Sequence, residues 1–228
     1  MRKSSFGHGE DCLLIKSTPM NLENFSKRYA VSSRHAWAGH RGSPWLEQTA
    51  KDHPDFLQLV DKFGGCVFEQ GLYRIYLPEA CETWSLAAGE AFPEFRGKLA
   101  IFGQDWQGNQ FGIQAAGPST VLLLQIGSGQ AFEVAETLQQ AHEVEFVEFA
   151  DEVLSIRLWQ EWPASGGAIP KLNQCVGLIN PLFLGGLNIV ENLQLCDTEV
   201  YWDITRQLLA QARISPPGTM IAHIRLDR

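Results

Sequence analysis

The chain has 228 residues, of which 45% are hydrophobic, 11% aromatic and 19% charged, with a net charge of −8. Apolar residues are spread along the whole length, which excludes an intrinsically disordered chain and supplies enough material for a substantial core. The negative charge is concentrated: eight carboxylates between Phe132 and Glu161 are opposed by Arg157 alone, so this segment carries −7 and the rest −1, which speaks against a nucleic-acid partner and for a basic one.

The first residues carry little periodic signal and read as a loosely docked arm. Leu13, Leu14 and Ile15 fall short of the ~7–15 apolar residues of a secretory leader. No window approaches the ~18 apolar residues of a membrane span, so a cytoplasmic protein with no membrane partner is expected. Asn21 caps a helix that spaces Leu22, Phe25 and Tyr29 on one face, and a turn-rich stretch runs from Ser32 to Pro44. Phe56, Leu57, Val60 and Phe63 form the face of a second helix, ended by Gly64-Gly65. Leu72 to Leu77 reads as a strand, stopped by Pro78, which suits the first turn of a helix over 79–89.

The clearest β region follows. Lys98–Phe102 and Gln110–Ala115 flank a turn at Gly108-Asn109. Pro118-Ser119 turns into the continuous apolar run Val121–Ile126, and Gly127-Ser128-Gly129 turns into Phe132–Val134. This pattern predicts an antiparallel meander with the apolar run at the centre of the sheet. Residues 135–158 read as helical. Pro163-Ala164-Ser165-Gly166-Gly167 is the best linker candidate, dividing domains 1–162 and 168–228. Beyond it, Cys175–Ile179, Leu182–Leu184 and Val190–Leu195 read as short strands, and Thr198–Ala212 as an amphipathic helix; Pro216-Pro217 ends that helix, and a last strand is expected at 221–226. The predicted fold class is α+β: an antiparallel meander sheet with flanking helices, plus a smaller C-terminal α+β domain.

Few residues suggest catalysis. Gly127-Ser128-Gly129 lacks the third glycine and the strand–helix setting of a dinucleotide site. His35 and His40 stand five apart in a loop with no cysteine or carboxylate at a metal-ligand spacing. Cys12, Cys66, Cys81, Cys175 and Cys196 are odd in number and scattered, and read as free thiols of a reducing compartment. Cys81 and His142 are a nucleophile–base pair by default only, with Cys81 among apolar residues of a helix. No enzyme, cofactor or metal is therefore expected. Among the 7 tryptophans, Trp84 and Trp202 read as core, whereas Trp106 at a hairpin tip and Trp159 and Trp162 near the linker read as partly exposed. Exposed aromatic residues beside acids are the usual material of binding hot spots, while a charge run is as often a solvated helix face.

Two blocks carry a family resemblance. Gly71-Leu72-Tyr73-Arg74-Ile75-Tyr76 and Phe102-Gly103-Gln104-Asp105-Trp106-Gln107-Gly108 resemble the GAD-like domain of bacterial type VI secretion immunity proteins. Gly177 to Gly186, followed by Val190-Glu191-Asn192-Leu193, is similar to that family's small C-terminal immunity domain, with Leu178-Ile179-Asn180 replacing the usual aromatic-glycine element before the proline. The resemblance, over roughly residues 20–212, implies a non-catalytic inhibitor that binds a cognate toxin effector, commonly a DNase. A nuclease has a basic substrate surface, so the expected toxin interface is acidic: Asp105, Trp106, Glu133, Glu136, Glu143, Glu145, Glu148, Asp151 and Glu152. A non-catalytic adaptor and a nucleic-acid-associated module remain as alternatives.

Overall fold

The computed structural model describes residues 19–36, 43–115 and 117–215. The readings made on residues 1–18, Trp37, His40, Pro216-Pro217 and the strand at 221–226 lie outside the described residues.

In chain order the elements are α1 (Glu23–Arg28), β1 (Val31–Arg34), α2 (Pro44–Asp52), α3 (Pro54–Phe63), β2 (Cys66–Phe68), β3 (Tyr73–Ile75), α4 (Pro78–Ala91), β4 (Leu99–Asp105), β5 (Gln110–Gln114), β6 (Val121–Gln125) and β7 (Gln130–Ala135). There follow α5 (Leu138–Gln140), a π turn at Ala141–Glu145, α6 (Phe146–Glu148), α7 (Ala150–Leu154), α8 (Ile156–Ala164), β8 (Gln174–Leu178), β9 (Leu193–Asp197) and α9 (Thr198–Ile214). Strands β1 to β7 pair antiparallel in sequence order, a seven-stranded meander, and β8 and β9 form a separate two-stranded sheet. The fold class is α+β.

The sheet is covered on both faces. Alternation along β4 sends Ala100 and Phe102 to one side and Leu99 and Ile101 to the other. The first side packs Tyr73, Phe111, Ile113 and Leu123 against Phe25 of α1, Phe56 and Phe63 of α3, Phe146, Leu154 and Trp159. The second packs Leu122 and Leu124 against Trp84 and Ala88 of α4 and Trp202 and Leu209 of α9. Each large side chain so buried contributes roughly 1.5–3 kcal/mol by leaving water.

Double coverage explains the continuous apolar run of β6. Such a run is buried on both faces wherever it lies, and β6 stands sixth of seven rather than at the centre. Strands β1 and β2 and helix α2 were hidden in the turn-rich sequence around them. The helix expected over 135–158 is broken at Phe149 and at Ser155, whose φ is +50°. Each break re-aims the next short helix, so that Phe146, Leu154 and Trp159 all reach one core. Leu182–Leu184 is a 3-10 turn rather than a strand, and the strand expected from Val190 starts only at Leu193.

Residues 163–167 comprise the last two residues of α8 and a turn packed on Trp162, whose indole N–H donates to Ala168 O at 3.0 Å. Beyond that turn, Val176, Leu178 and Leu193 join the first core, and Cys175, Tyr201, Trp202 and Leu209 the second. Gly177 permits the contact with α9, because a Cβ there would stand 2.6 Å from the Tyr201 ring. No helix among the described residues is long and apolar enough to cross a membrane.

Candidate functional site

The acidic segment runs from the edge strand β7 through the broken helices to α8, and its carboxylates divide by what they touch. Glu143, on the π turn, accepts the backbone N–H groups of Asn24 and Phe25 at 3.2 Å each, satisfying the open N-terminus of α1. Asp151 accepts Arg157 N–H at 3.0 Å and pairs with the Arg157 guanidinium, closing the N-terminus of α8. The hydrogen bonds from Arg157 hold the Asp151 carboxyl below its ordinary pKa. Glu145 accepts from Gln140 Nε2 at 3.2 Å. These three acids are hydrogen-bonded within the fold. Replacing Glu143 with alanine is expected to cost about 1 kcal/mol in urea denaturation, the usual worth of a helix cap.

Glu133, Glu136, Glu148, Glu152 and Glu161 are exposed instead. Glu133 and Glu136 line an open groove of about 830 Å³ together with Thr120, Val134 and Gln140. Asp151 and Glu161 line a second, of about 470 Å³, with Glu191, Arg157 and Ile189. Exposed apolar residues lie in and beside the same segment: Phe132 is 42% exposed, Phe149 46% and Ile189 43%. A surface that combines exposed carboxylates with exposed large apolar side chains can attract a basic protein and give it an anchor.

Asp105 and Trp106 do not belong to that surface. Both are buried, which corrects the expected exposure of the hairpin tip. The Trp106 indole donates to Leu154 O at 2.9 Å and lies against Trp159, and Trp106 O accepts from Val176 N at 2.8 Å. Trp159 and Trp162 are buried as well. Asp105 organises the β4–β5 turn, accepting from Gln107 N and Asn109 N at 2.9 Å each and from Asn109 Nδ2 at 2.8 Å. Burial nevertheless raises its pKa to about 7. The hairpin tip is buried because residues after the turn at 165–167 fold back over it.

The default catalytic pair dissolves too. His142 is buried among the Phe25, Phe102 and Phe146 rings, with Nδ1 2.8 Å from Leu138 O and Nε2 3.0 Å from the Tyr73 hydroxyl. A carbonyl can only accept, so Nδ1 carries the proton and Nε2 accepts from Tyr73. Both ring nitrogens are occupied, and burial lowers the pKa to about 4, keeping the ring neutral. Burial pushes the Cys81 thiol well above its usual value. Cys66 and Cys175 are buried free thiols, and Cys175 and Cys196 meet across β8 and β9 with sulfurs 3.7 Å apart, a neighbourhood that their spacing of 21 residues did not reveal.

The C-terminal block has a structural explanation. Asn192 Oδ1 accepts from Asn180 N at 2.9 Å, and its Nδ2 donates to Asn180 O and Leu187 O at 2.8 Å each. Gly185 takes φ +89°, and a Cβ at Gly186 would stand 1.8 Å from Asn180 O. The asparagine and the glycines thus clamp one loop.

No protein-family model and no curated protein sequence matches the chain. Among solved structures, the crystal structure of Atu4351 from Agrobacterium tumefaciens is similar over 82% of this chain and 89% of that one, with a TM-score of 0.58 at 17% identity. That likeness is one of fold.

Proposed function

We propose that this chain is an immunity protein: it binds a cognate toxin effector, a nuclease with a basic substrate surface, and covers its active or DNA-binding site. The observation that carries the reading is the concentration of exposed Glu133, Glu136, Glu148, Glu152 and Glu161 along one segment that also exposes Phe132 and Phe149, with Glu133 and Glu136 lining one open groove and Glu161 another. The resemblance of the Gly71–Tyr76, Phe102–Gly108 and Gly177–Leu193 blocks to type VI immunity proteins points the same way. Inhibition then needs no catalytic group. Long-range attraction steers the toxin onto the acidic face, and the aromatic side chains supply the desolvated anchor.

The test is co-expression with the neighbouring toxin domain, scoring survival and co-purification, followed by the quadruple variant Glu133→Lys, Glu136→Lys, Glu148→Lys and Glu152→Lys. These positions are exposed, so the variant should fold. It is expected to slow association by about 10-fold or more at low salt and to flatten the salt dependence. Unchanged association would reduce the acidic segment to a solvated face. Rescue without a complex would sink direct inhibition, and no rescue would leave the adaptor reading. Salt-sensitive binding to DNA or RNA would favour the nucleic-acid module.

A further inference from the structure

Strands β8 and β9 pair antiparallel with Cys175 directly opposite Cys196. Directly opposed residues of such a pair put their side chains on one face, with Cα atoms about 4.5–5.5 Å apart. A disulfide needs about 4.4–6.8 Å between Cα atoms. The backbone therefore stands within bonding range, and no strand has to move. Both thiols are free, and their sulfurs are 3.7 Å apart.

The two thiols differ in setting. Cys175 is fully buried beneath the β4–β5 turn, where a Cβ on Gly108 would stand 3.0 Å from its sulfur. Cys196 is half-buried. As a thiol, Cys196 donates to Cys175 O at 3.6 Å. As a thiolate it accepts from the Cys175 S–H and from the Gly177 N–H, and these bonds hold its pKa below the ordinary cysteine value. The bond to Cys196 and burial together push Cys175 well above that value. Oxidation favours the thiol with more thiolate character and more exposure, and a second thiol in contact with it resolves the product.

We propose that Cys175 and Cys196 are a reversible dithiol–disulfide pair oxidised by a hydroperoxide, with Cys196 as the attacking thiol and Cys175 as the resolving one. The Cys196 thiolate attacks a peroxide oxygen, so an S–O bond forms as the O–O bond breaks. With hydrogen peroxide the products are a sulfenic acid and hydroxide, which takes up the proton Cys196 released and leaves as water. The Cys175 sulfur then displaces the sulfenic oxygen. An S–S bond forms, the S–O bond breaks, and the oxygen leaves with the Cys175 proton as a second water. Two thiols lose two electrons between them, and one hydrogen peroxide is reduced to two waters. A dithiol reductant reverses the bond by exchange. Closure would fasten the ends of the segment 176–195, from which Ile189 and Glu191 line the second groove. The chemistry does not depend on toxin binding, so either reading can fail alone.

Both cysteines lie in the tryptic segment Leu172–Arg206, which contains no other cysteine and no internal lysine or arginine. The reduced full chain is treated with a small molar excess of hydrogen peroxide, quenched in acid, alkylated in denaturant and digested for mass spectrometry. This peptide is expected to appear unalkylated and two hydrogens lighter than its dithiol form. It should do so at least about tenfold faster than the fully buried Cys66 and Cys81 lose their thiols. Dithiothreitol should restore both thiols. In Cys175→Ser, Cys196 should hold a sulfenic acid that dimedone traps, whereas Cys175 of Cys196→Ser should stay a thiol. The wild-type digest decides the pairing even if a variant fails to fold. Two alkylated thiols in Leu172–Arg206 after peroxide overturn the proposal, as does a bond from either cysteine to a different one. Dimedone found on Cys175 of Cys196→Ser but not on Cys196 of Cys175→Ser overturns the order of attack.

Discussion

Replacing Arg74 with methionine is expected to destabilise the protein by about 3 kcal/mol, roughly 1 kcal/mol for each backbone carbonyl it leaves without its donor. Methionine fills a similar volume, so the loss reports hydrogen bonding more than packing. The three carbonyls belong to Pro170, Leu172 and Gln174, the stretch that enters β8. The loss should therefore appear in two ways: a lower urea midpoint, and faster amide exchange at Cys175 and Val176 than in the wild type. Lysine should restore only part, since a single ammonium lacks the two separate Nη groups through which the guanidinium reaches its three acceptors. A methionine variant within about 0.5 kcal/mol of wild type would show that the guanidinium's own burial cost cancels what it holds.

Stability between about pH 4 and 6.5 is expected to hide two opposing titrations, which single substitutions expose. Asp105 has its folded pKa raised to about 7 from 3.8 by burial. The folded state therefore holds this proton more tightly, and the contribution, full below 3.8, is lost as pH rises through about 7. His142 has its folded pKa lowered to about 4 from 6.5, also by burial. The unfolded state holds that proton more tightly, so the contribution is present above 6.5 and lost as pH falls through about 4. In the shared window each group contributes one proton, or about 1.4 kcal/mol per pH unit, with opposite sign. Relative to wild type, Asp105→Asn should gain stability as pH rises from 4.5 to 6, and His142→Gln should lose it, each by about 2 kcal/mol. Urea denaturation at the two pH values decides. A variant whose pH dependence matches wild type would mean that its residue titrates normally in the folded protein.

Legibility of this fold in the sequence varied with how local the cause was. The β4–β7 meander was readable because its turns carry Gly108-Asn109, Pro118-Ser119 and Gly127-Ser128-Gly129 at the required places. Helices α3, α4 and α9 were readable from the 3.6 period and, for α4, from Pro78 at the first turn. Strands β1 and β2 were not, since β1 is an exposed edge strand of Ser and Arg character and β2 has three residues. Neither is long enough to show a period.

The candidate site was legible in composition and not in role. Sequence showed eight carboxylates in one segment. It could not show that Glu143 and Asp151 satisfy helix N-termini while Glu133, Glu136, Glu148 and Glu152 are exposed. Arg74 carried one signal, a charge midway along an otherwise apolar alternating strand. Sequence by itself determined the β4–β7 hairpin order, helices α3, α4 and α9 and the placement of negative charge, because each depends on neighbours a few residues apart. Only the tertiary structure decided that Asp105 and Trp106 are interior, that Arg74 is buried against the carbonyls of Pro170, Leu172 and Gln174, and which acids reach solvent. The first two outcomes depend on residues 168–214 folding back onto β3 and the β4–β5 hairpin, contacts between segments about 70 to 100 residues apart, and the engagement of Glu143 on α1 packing beside it from about 118 residues away; local pattern carries no information on either.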